Sequence, residues 1–333
     1  MGSVSQLSDY SPHFLVIGCY TPNAGGAGVG LSVAARDPVT GALRLHGEPT
    51  PTDAPSFVVR HPRLPLIYAV NELKEGAVSA FAMSDSFHPE PLGSWPTGGV
   101  EPCHLTVSGD ELLVANYASG TVSRFHLDAR GLPVAEPVVV AHTGQGPHPE
   151  RQTSPHAHHV TRVGNDLLAV DLGTDAVLVH RPGAEPALVA QLPPGTGPRH
   201  LTVAGDAVYL VGELSGTVMV LGLDDWQLRA SVPASSVAGG YPSEVVATDR
   251  FLYVANRGPD TISTFTLDGL TLVGEVPTGG MWPRHFVHIE RFLYVANERS
   301  HTVTVFRLDE HTGLPIPTGD VLPTPSPTCL LPW

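Results

Sequence analysis

The sequence predicts an all-β protein, a single seven-bladed β-propeller of four-stranded antiparallel blades that is closed by pairing of its N- and C-terminal strands. Three observations support this prediction. A short apolar run recurs seven times, its copies are spaced by roughly 40 to 55 residues, and the two ends of the chain each lack a piece that the other supplies. Helical repeats have periods of about 33 or 34 residues, whereas a blade of four strands fits the longer spacing.

The recurring run is short, rich in Val, Ile, Leu and Tyr, and followed by a segment that alternates apolar and polar residues, such as TVSRFHL or TVTVFRL. This pattern is typical of strands and not of helices. The seven copies are FLVIGCYT (14–21), LIYAVNEL (66–73), LLVANYAS (112–119), LLAVDLGT (167–174), VYLVGELS (208–215), FLYVANRG (251–258) and FLYVANER (292–299).

A proline and another strand-like run precede most copies by about a dozen residues. The last of these runs, PTCLLPW (327–333), has no apolar copy after it, and FLVIGCYT has no proline run before it. We therefore expect the C-terminal run to complete the N-terminal blade, which removes two exposed sheet edges. Residues 1–333 then form one domain, with blades at about 55–97, 102–141, 155–192, 198–232, 242–277, 283–320, and 12–50 together with 323–333.

The composition restricts the class of partner. The chain has 18 basic and 32 acidic residues, a net charge of −14, and Lys74 as its only lysine. This charge disfavours binding to nucleic acid or to an anionic membrane. No stretch approaches 18 consecutive apolar residues and the N-terminus lacks an apolar signal core, so we expect a cytoplasmic protein, a monomer or weak homodimer.

Polar residues are predicted to converge at one mouth of the central channel. In an antiparallel meander, the start of the innermost strand and the end of the second strand lie on the same face. The proline runs begin the innermost strands, and Asn, Asp or Glu ends the second strands. The residues expected at this mouth include Tyr20, His104, His156, His158, Arg199, His200, Glu213, Glu244, Arg257, Arg284 and His285.

This cluster of Arg and His in an acidic chain predicts a pocket for a small anionic molecule, because the guanidinium fork matches carboxylate or phosphate. A structural role is the alternative, in which the charged groups form ion pairs between blades, for example Arg199 with Glu244. The Asn repeated at the second-strand ends is a separate case: we expect these Asn residues themselves to be structural, since Asn satisfies turn backbone groups. The remaining histidines are expected to face solvent, namely His13, His46, His61, His88, His126, His142, His180, His301 and His311.

A metal site is the other alternative for the histidines. His156 and His158 are two residues apart and would point the same way in a regular strand. Arg199, Arg257 and Arg284 at the same mouth would oppose a dication, so we predict no metal and no other cofactor.

Several segments resemble the lactonase family of seven-bladed propellers, which includes the propeller-type 6-phosphogluconolactonase and the fungal carboxy-cis,cis-muconate cyclizing enzyme. The matching segments are GCYT (18–21), GQGPHPERQTSPHAHHV (144–160), GPRHL (197–201), ANRG (255–258), GGMWPRHF (279–286), ANERSHTVTVFRLDEHTG (296–313) and PSPTCLL (325–331). The chain departs from the usual family pattern at Gly212-Glu213, where Asn-Glu is commoner, and at the paired His158-His159.

The resemblance implies a metal-independent lactonase, and its motifs carry over as active-site candidates His158 or His156, Arg199, Glu213, and either Arg257 or Arg284. We take His158, Glu213, Arg199 and Arg284 as the catalytic candidates. The other polar residues expected at the mouth are the substrate-binding candidates, namely Tyr20, His104, His156, His200, Glu244, Arg257 and His285. In hydrolysis, Glu213 or His158 would activate water while Arg199 and Arg284 stabilise the oxyanion and Arg257 holds a remote anionic group. The alternatives are a cyclase that closes a lactone from a conjugated carboxylate, and a propeller that binds a ligand without catalysis.

Overall fold

The computed structural model describes residues 13–333 and arranges them as seven blades around a central channel. The first strand of each blade contacts the first strands of both neighbouring blades, so the seven first strands surround the channel. We number the blades from the one that contains the N-terminal strand. The first strands are, from blade 1 to blade 7, β29 (Pro327–Pro332), β5 (Val58–Arg60), β9 (Pro102–Ser108), β13 (Ala157–Val163), β17 (Pro198–Ala204), β21 (Tyr241–Ala247) and β25 (Pro283–Ile289).

The second strands pair antiparallel with the first and are apolar on both faces, because each blade is packed between two others. They are β1 (Phe14–Cys19), β6 (Leu66–Asn71), β10 (Glu111–Asn116), β14 (Asp166–Asp171), β18 (Ala207–Gly212), β22 (Phe251–Arg257) and β26 (Phe292–Asn297). The third strands are β2 (Gly30–Arg36), β7 (Ala77–Met83), β11 (Thr121–His126), β15 (Ala176–His180), β19 (Thr217–Gly222), β23 (Thr261–Thr266) and β27 (Thr302–Leu308).

The outermost strands are mostly exposed and carry much of the polar surface. In blade 1 this position is divided between two short strands, both paired with β2. The outermost strands are β3 (Leu43–Leu45) with β4 (Thr50–Pro51), β8 (Pro89–Pro96), β12 (Val138–Ala141), β16 (Ala187–Gln191), β20 (Leu228–Pro233), β24 (Leu272–Pro277) and β28 (Pro315–Pro323). A single 3-10 turn in the described residues spans Pro22–Ala24.

The core is divided among the seven interfaces between neighbouring blades. At the interface of blades 2 and 3, for example, Tyr68 and Val70 pack with Leu105, Val114 and Phe125, all almost fully buried. Burial of apolar area at this scale stabilises the fold by about 25 cal/mol per Å². The ring therefore holds together through contacts that repeat from blade to blade.

The predicted closure of the ring is confirmed. Strand β29 pairs antiparallel with β1, with Val16 opposite Leu331 and Ile17 opposite Leu330. The C-terminal strand therefore supplies the channel-facing strand of the N-terminal blade, and the two edges that would otherwise be open are paired with each other. Within the described part of the chain, no helix has the length and apolar character of a membrane span.

The repeated Asn at the second-strand ends has a structural role. Asn116 and Asn256 are fully buried, and the side-chain amide of each donates to a serine on the third strand, Ser123 and Ser263 respectively. These bonds tie the second strand to the third beside the turn that joins them. The structure therefore confirms the interpretation that this Asn belongs to the repeat.

Candidate active site at the channel mouth

A β-bulge sits at the channel end of the first strand in six blades. In five of these blades the register between the first and second strands shifts directly after the proline, so that one residue has no partner opposite it. In blade 4 the shift lies between Ala157 and His159, a few residues after Pro155. A bulge locally twists the strand and re-aims the extra side chain. The residues at these shifts are Thr328, Cys103, His158, Arg199, Ser243 and Arg284.

The turn before each first strand is also unusual. In five blades the residue preceding the proline has a positive φ: Ala54 at 40°, Glu101 at 52°, Gly197 at 54°, Trp282 at 62° and Ser326 at 44°. The left-handed conformation costs about 1–2 kcal/mol for a residue with a Cβ atom, and such strain persists only where the surroundings enforce it. This turn and the bulge together direct the residue after the proline toward the mouth.

The mouth is a narrow opening lined by side chains from every blade except blade 6. The lining residues are Ser56, Phe57, Glu72, Cys103, His158, Arg199, His200, Arg284, His285 and Thr328. The residues directly after the prolines form the upper layer of this opening, and the residues one position further along form a second layer below it, except in blade 4, where His158 and His159 take these two places. The chain thus places two rings of side chains across the channel.

Three guanidinium groups surround the carboxylate of Glu213, which is itself 2% exposed. Arg257 Nη2 lies 2.7 Å and Arg199 Nη1 2.9 Å from Glu213 Oε2, and Arg151 Nη2 donates to Oε1 at 2.8 Å. Burial opposes the charged form, but Arg257, Arg199 and Arg151 hold the pKa of Glu213 well below its ordinary value. Such a carboxylate stays ionised and is a poor proton acceptor.

His158 is held beside the same arginine. Its Nε2 accepts a hydrogen bond from Arg199 Nη1, and its buried Nδ1 has no hydrogen-bond partner among the described residues. Burial, and then the charge of Arg199, keep the pKa of His158 well below its ordinary value. His158 is therefore a neutral imidazole whose acceptor nitrogen is already occupied.

A second carboxylate, that of Glu72, lies across the opening. Its Oε1 accepts a hydrogen bond of 2.8 Å from the Tyr20 hydroxyl, and its Oε2 accepts one from Ser56 Oγ. Arg284 Nη2 donates to the Tyr20 oxygen, the Arg284 guanidinium lies over the Tyr20 ring, and Arg284 Nη1 is 3.5 Å from Glu298 Oε2. Burial raises the pKa of Glu72, although Arg284 and the two hydroxyls act in the opposite direction.

The layer below is a belt of imidazoles that fills the channel. His104, His159 and His200 pack with ring centroids 4.2–5.2 Å apart, and Phe57 packs against His104 at 4.1 Å and His285 at 5.4 Å. Burial lowers the pKa of each of these histidines, that of His285 to about 4. The belt therefore forms an uncharged floor beneath the mouth.

Glu244 contributes a carboxyl group to this floor of imidazoles. Its Oε2 accepts a hydrogen bond from His200 Nδ1 at 2.9 Å and lies 3.4 Å from His285 Nε2, and its Oε1 accepts one from the backbone amide of Val245. The pairing of Arg199 with Glu244, which was the example given for a purely structural role, does not occur in the described residues. Arg199 bonds instead to Glu213, because the bulge turns it into the upper layer whereas Glu244 lies in the lower one.

The predicted site residues divide into three groups. His158, Arg199, His200, Arg284 and His285 line the opening itself. Tyr20, Glu213 and Arg257 stand behind them and bond to lining residues or to one another, while His104 and Glu244 belong to the floor. His156 lies outside the opening, stacked on Tyr117 with its Nδ1 bonded to the Tyr117 carbonyl oxygen.

The expectation that His156 and His158 point the same way is also wrong. The register shift between Ala157 and His159 interrupts the alternation of the strand, and the two rings bond to different partners: His156 Nδ1 to the Tyr117 carbonyl oxygen, and His158 Nε2 to Arg199. Among residues 13–333, no group of three or more His, Cys, Asp or Glu side chains is arranged to hold a metal ion. Independence from metal stays a prediction about the activity.

Three charged residues at the mouth were not chosen as site candidates, namely Glu72, Glu298 and Arg151. Glu72 and Glu298 each follow an Asn at a second-strand end, the position that Glu213 has in blade 5, and the repeat did place them at this mouth. Arg151 lies in a loop outside the strand repeat, so the position of its guanidinium could not be predicted from the repeat. Gln152 anchors that loop through bonds to Asp175 Oδ1 and the Leu172 carbonyl oxygen, which aims Arg151 at Glu213.

Three histidines expected at the surface are buried, which corrects that prediction. His61, His142 and His180 are 4%, 7% and 5% exposed. His142 lies between blades 3 and 4, where its Nδ1 donates to Asp171 Oδ2 at 2.5 Å and its Nε2 lies 2.9 Å from His180 Nε2. Burial lowers the pKa of His180 to about 3. Packing between blades, which sequence position does not reveal, put these side chains inside.

Known proteins resemble this chain over nearly its whole length. A family model described as "Lactonase, 7-bladed beta-propeller" matches residues 14–332. The chain is 31% identical over 239 residues to a 6-phosphogluconolactonase of Bacillus subtilis, covering 64% of this chain and 67% of that protein. It is 28% identical over 283 residues to a 6-phosphogluconolactonase of Formosa agariphila, covering 76% and 80%. The solved periplasmic gluconolactonase of Pseudomonas aeruginosa matches with a TM-score of 0.85 and 29% identity, covering 96% of this chain and 98% of that one.

Proposed function

The chain belongs to the lactonase family of seven-bladed β-propellers, and from that premise we propose that it hydrolyses a small, anionic, sugar-type lactone at the channel mouth. Relatives bearing the names 6-phosphogluconolactonase and gluconolactonase support a carboxylic ester hydrolase that opens a sugar lactone. The resemblance in the sequence motifs is thereby confirmed at the level of the family.

The observation that carries the proposal is the convergence of Arg199 and Arg284 on one opening that His158 also lines. Both guanidiniums are fixed before substrate arrives, Arg199 by the carbonyl oxygen of Ser243 and by Glu213, Arg284 by Tyr20. Donors held in advance toward the oxygen that becomes negative stabilise the tetrahedral intermediate without reorganisation. One such donor contributes about 10²–10³-fold to turnover.

The charge at the mouth favours an anionic substrate. Four arginines meet in the upper layer with three carboxylates, those of Glu72, Glu213 and Glu298, and a fourth carboxylate, that of Glu244, lies in the floor below; the arginines are Arg151, Arg199, Arg257 and Arg284. Four of the 18 basic residues are thus gathered at one opening of a chain whose net charge is −14. Arg257 is buried against Glu213 and two carbonyl oxygens, so Arg151, whose side chain is 37% exposed, is better placed than Arg257 to meet a remote phosphate or carboxylate.

The test compares three substrates on the purified protein: 6-phosphogluconolactone, unphosphorylated gluconolactone, and a carboxylated muconate. Because δ-lactones open readily in water, the uncatalysed rate is subtracted at each pH. We expect hydrolysis of a sugar lactone and no ring closure of the muconate, with activity retained after treatment with a chelator. Muconate turnover without lactonase activity would establish the cyclase alternative, and no turnover of any of the three would overturn the proposal.

Arg284→Gln is the matching variant, with Arg229→Ala as its control. Arg284→Gln is expected to lower kcat by about 10²–10³-fold because it removes a charged oxyanion donor. Arg229 forms an exposed pair with Asp225 far from the opening, so its removal tests for general effects of losing an arginine. Equal kcat in both variants would exclude Arg284 from the chemistry, and thermal melting of each protein separates loss of function from loss of fold.

A further inference from the structure

The two carboxylates of the upper layer are held in opposite ways. Glu213 is contacted by three guanidinium groups, whereas both oxygens of Glu72 are held by hydroxyl groups, from Tyr20 and Ser56. Within residues 13–333, no ion pair within 4.0 Å includes Glu72. Pairs of titratable groups whose surroundings separate their proton affinities commonly divide the acid, base and electrostatic roles of an active site.

Glu72 is also in the right place. It lines the same opening as Arg199, Arg284 and His158, and its backbone amide is fixed by a 3.0 Å bond to the Ala54 carbonyl oxygen. The residue that carries this carbonyl is one of the strained residues in the turn before a first strand, at φ 40°. A carboxylate on such a rigid support keeps its orientation between turnovers.

The other candidates for the base are less suitable. Glu213 is stabilised as an anion by its arginines, and the acceptor nitrogen of His158 is occupied by Arg199. The pKa of the Tyr20 hydroxyl lies well above its ordinary value, chiefly through burial. Glu72, whose pKa burial raises, is the remaining carboxylate on the opening, and a base works best when its proton affinity approaches that of the working pH.

We propose that Glu72 is the catalytic base of lactone opening and that Tyr20 and Ser56 are positioning residues that aim its carboxylate at the attacking water. The proposal rests on the hydrolase function and assigns the proton transfer within it. Tyr20 serves both halves of the site, since its hydroxyl donates to Glu72 and accepts from Arg284. The base and the oxyanion donor are thereby held at a fixed separation through one phenol.

In the proposed first step, the oxygen of water forms a bond to the lactone carbonyl carbon while Glu72 takes one proton of that water. The carbonyl π electrons move at the same time onto the oxygen that faces Arg199 and Arg284. The tetrahedral intermediate then re-forms its carbonyl, the ring C–O bond breaks, and the proton held by Glu72 passes to the departing ring oxygen. The product is the open hydroxy acid, which loses its own carboxyl proton to solvent.

The first experiment measures kcat and KM for 6-phosphogluconolactone and gluconolactone with Glu72→Gln and Glu72→Asp. Glu72→Gln is expected to lower kcat by about 10²–10⁴-fold with KM changed only a few-fold, because it removes the proton acceptor and keeps the shape. Glu72→Asp should restore part of kcat. A Glu72→Gln variant with the kcat of the wild type would overturn the assignment, while a wild type without lactonase activity would overturn the proposed function as well.

The second experiment is a pH–rate profile, which does not depend on a variant that disables the enzyme. Each hydroxyl that donates to Glu72 favours its ionised form, so removing one raises the pKa of the base. Ser56→Ala and Tyr20→Phe are each expected to shift the acidic limb of kcat to higher pH. Ser56→Ala is the cleaner of the two, because Ser56 does not contact Arg284.

The control for the profile is Ser79→Ala. Ser79 donates to Asn71 Oδ1, beside Glu72 in the chain, and it does not line the opening. The acidic limb of kcat for Ser79→Ala should therefore coincide with that of the wild type. An acidic limb that stays in place in both Ser56→Ala and Tyr20→Phe would overturn the role of Glu72, whatever happens to the absolute rates.

Discussion

At the scale of single residues, the sequence predicted which residues reach the mouth, but it did not predict which side chains pair with one another there. The repeat placed Arg199 and Glu213 at one mouth but did not show that they pair, and the partner considered for Arg199 in a structural role was Glu244, which instead bonds to His200. The true arrangement depends on which way each side chain leaves its bulge and on a loop that brings Arg151 from outside the strands. Such choices are made by atoms a few ångströms apart, and the spacing of residues along a chain does not encode them.

Glu213→Gln tests the importance of the triple arginine contact. Removing the negative charge leaves three guanidiniums in a poorly solvated site, and breaking a buried ion pair in this way costs about 3–5 kcal/mol. We expect a loss of about 3 kcal/mol in the free energy of unfolding, measured by denaturant titration, together with loss of turnover. Asp225→Asn is the matched control, since it breaks an exposed pair with Arg229, and such a pair contributes about 0–1 kcal/mol. Equal losses in the two variants would show that the Glu213 cluster is not a stabilising one.

At the scale of elements, the strands followed from the sequence, and the irregularities that form the site did not. Period-two alternation and apolar runs predict where strands lie. They also predict that side chains two apart point the same way, which fails for His156 and His158 at the bulge. The proline at the start of each first strand was visible in the sequence, but the left-handed residue before it, such as Glu101 or Trp282, has no residue-type signature.

Glu101→Gly tests the strain in the turn that precedes the first strand of blade 3. Glu101 has φ 52°, and glycine adopts this conformation without the cost of a Cβ atom. After the greater chain entropy lost by glycine is subtracted, we expect the free energy of unfolding to rise by about 0.5–1 kcal/mol. Glu101→Ala, which keeps the Cβ atom, should leave stability close to that of the wild type. A glycine variant less stable than the alanine variant would contradict the prediction that the positive φ of Glu101 costs stability.

At the scale of the whole molecule, the closed ring creates an environment that no single blade has. The buried imidazoles of the channel come from four different blades, and each is shielded from water only when the others pack around it; they are His104, His159, His200 and His285. The same closure gathers four arginines at the mouth of a chain whose net charge is −14. This concentration of guanidinium groups is therefore a property of the ring.

The buried imidazoles predict acid sensitivity. They stay neutral in the folded protein, with the pKa of His285 lowered to about 4 and that of His180 to about 3, whereas the unfolded chain takes up these protons below about pH 6.5. Stability should be complete above about pH 6.5 and should fall progressively as the pH drops toward 4. Denaturant midpoints at a series of pH values measure this slope.

His285→Gln removes one of these groups and should make the acid dependence shallower, whereas His311→Gln, at an exposed position, should leave it unchanged. A midpoint that stays constant between pH 7 and pH 5 would contradict the prediction that the channel histidines are neutral.

The sequence by itself determined the seven repeats, the strand order within each, the closure by the C-terminal strand, and the ends of strands that face the mouth, because hydrophobic periodicity and repeat spacing are written along the chain. Tertiary structure alone decided that Glu213 is enclosed by three arginines while Glu72 is held by two hydroxyls, and that His142 and His180 are buried. The proton affinity of a side chain depends on its desolvation and on charges within a few ångströms, and both exist only once distant parts of the chain have come together.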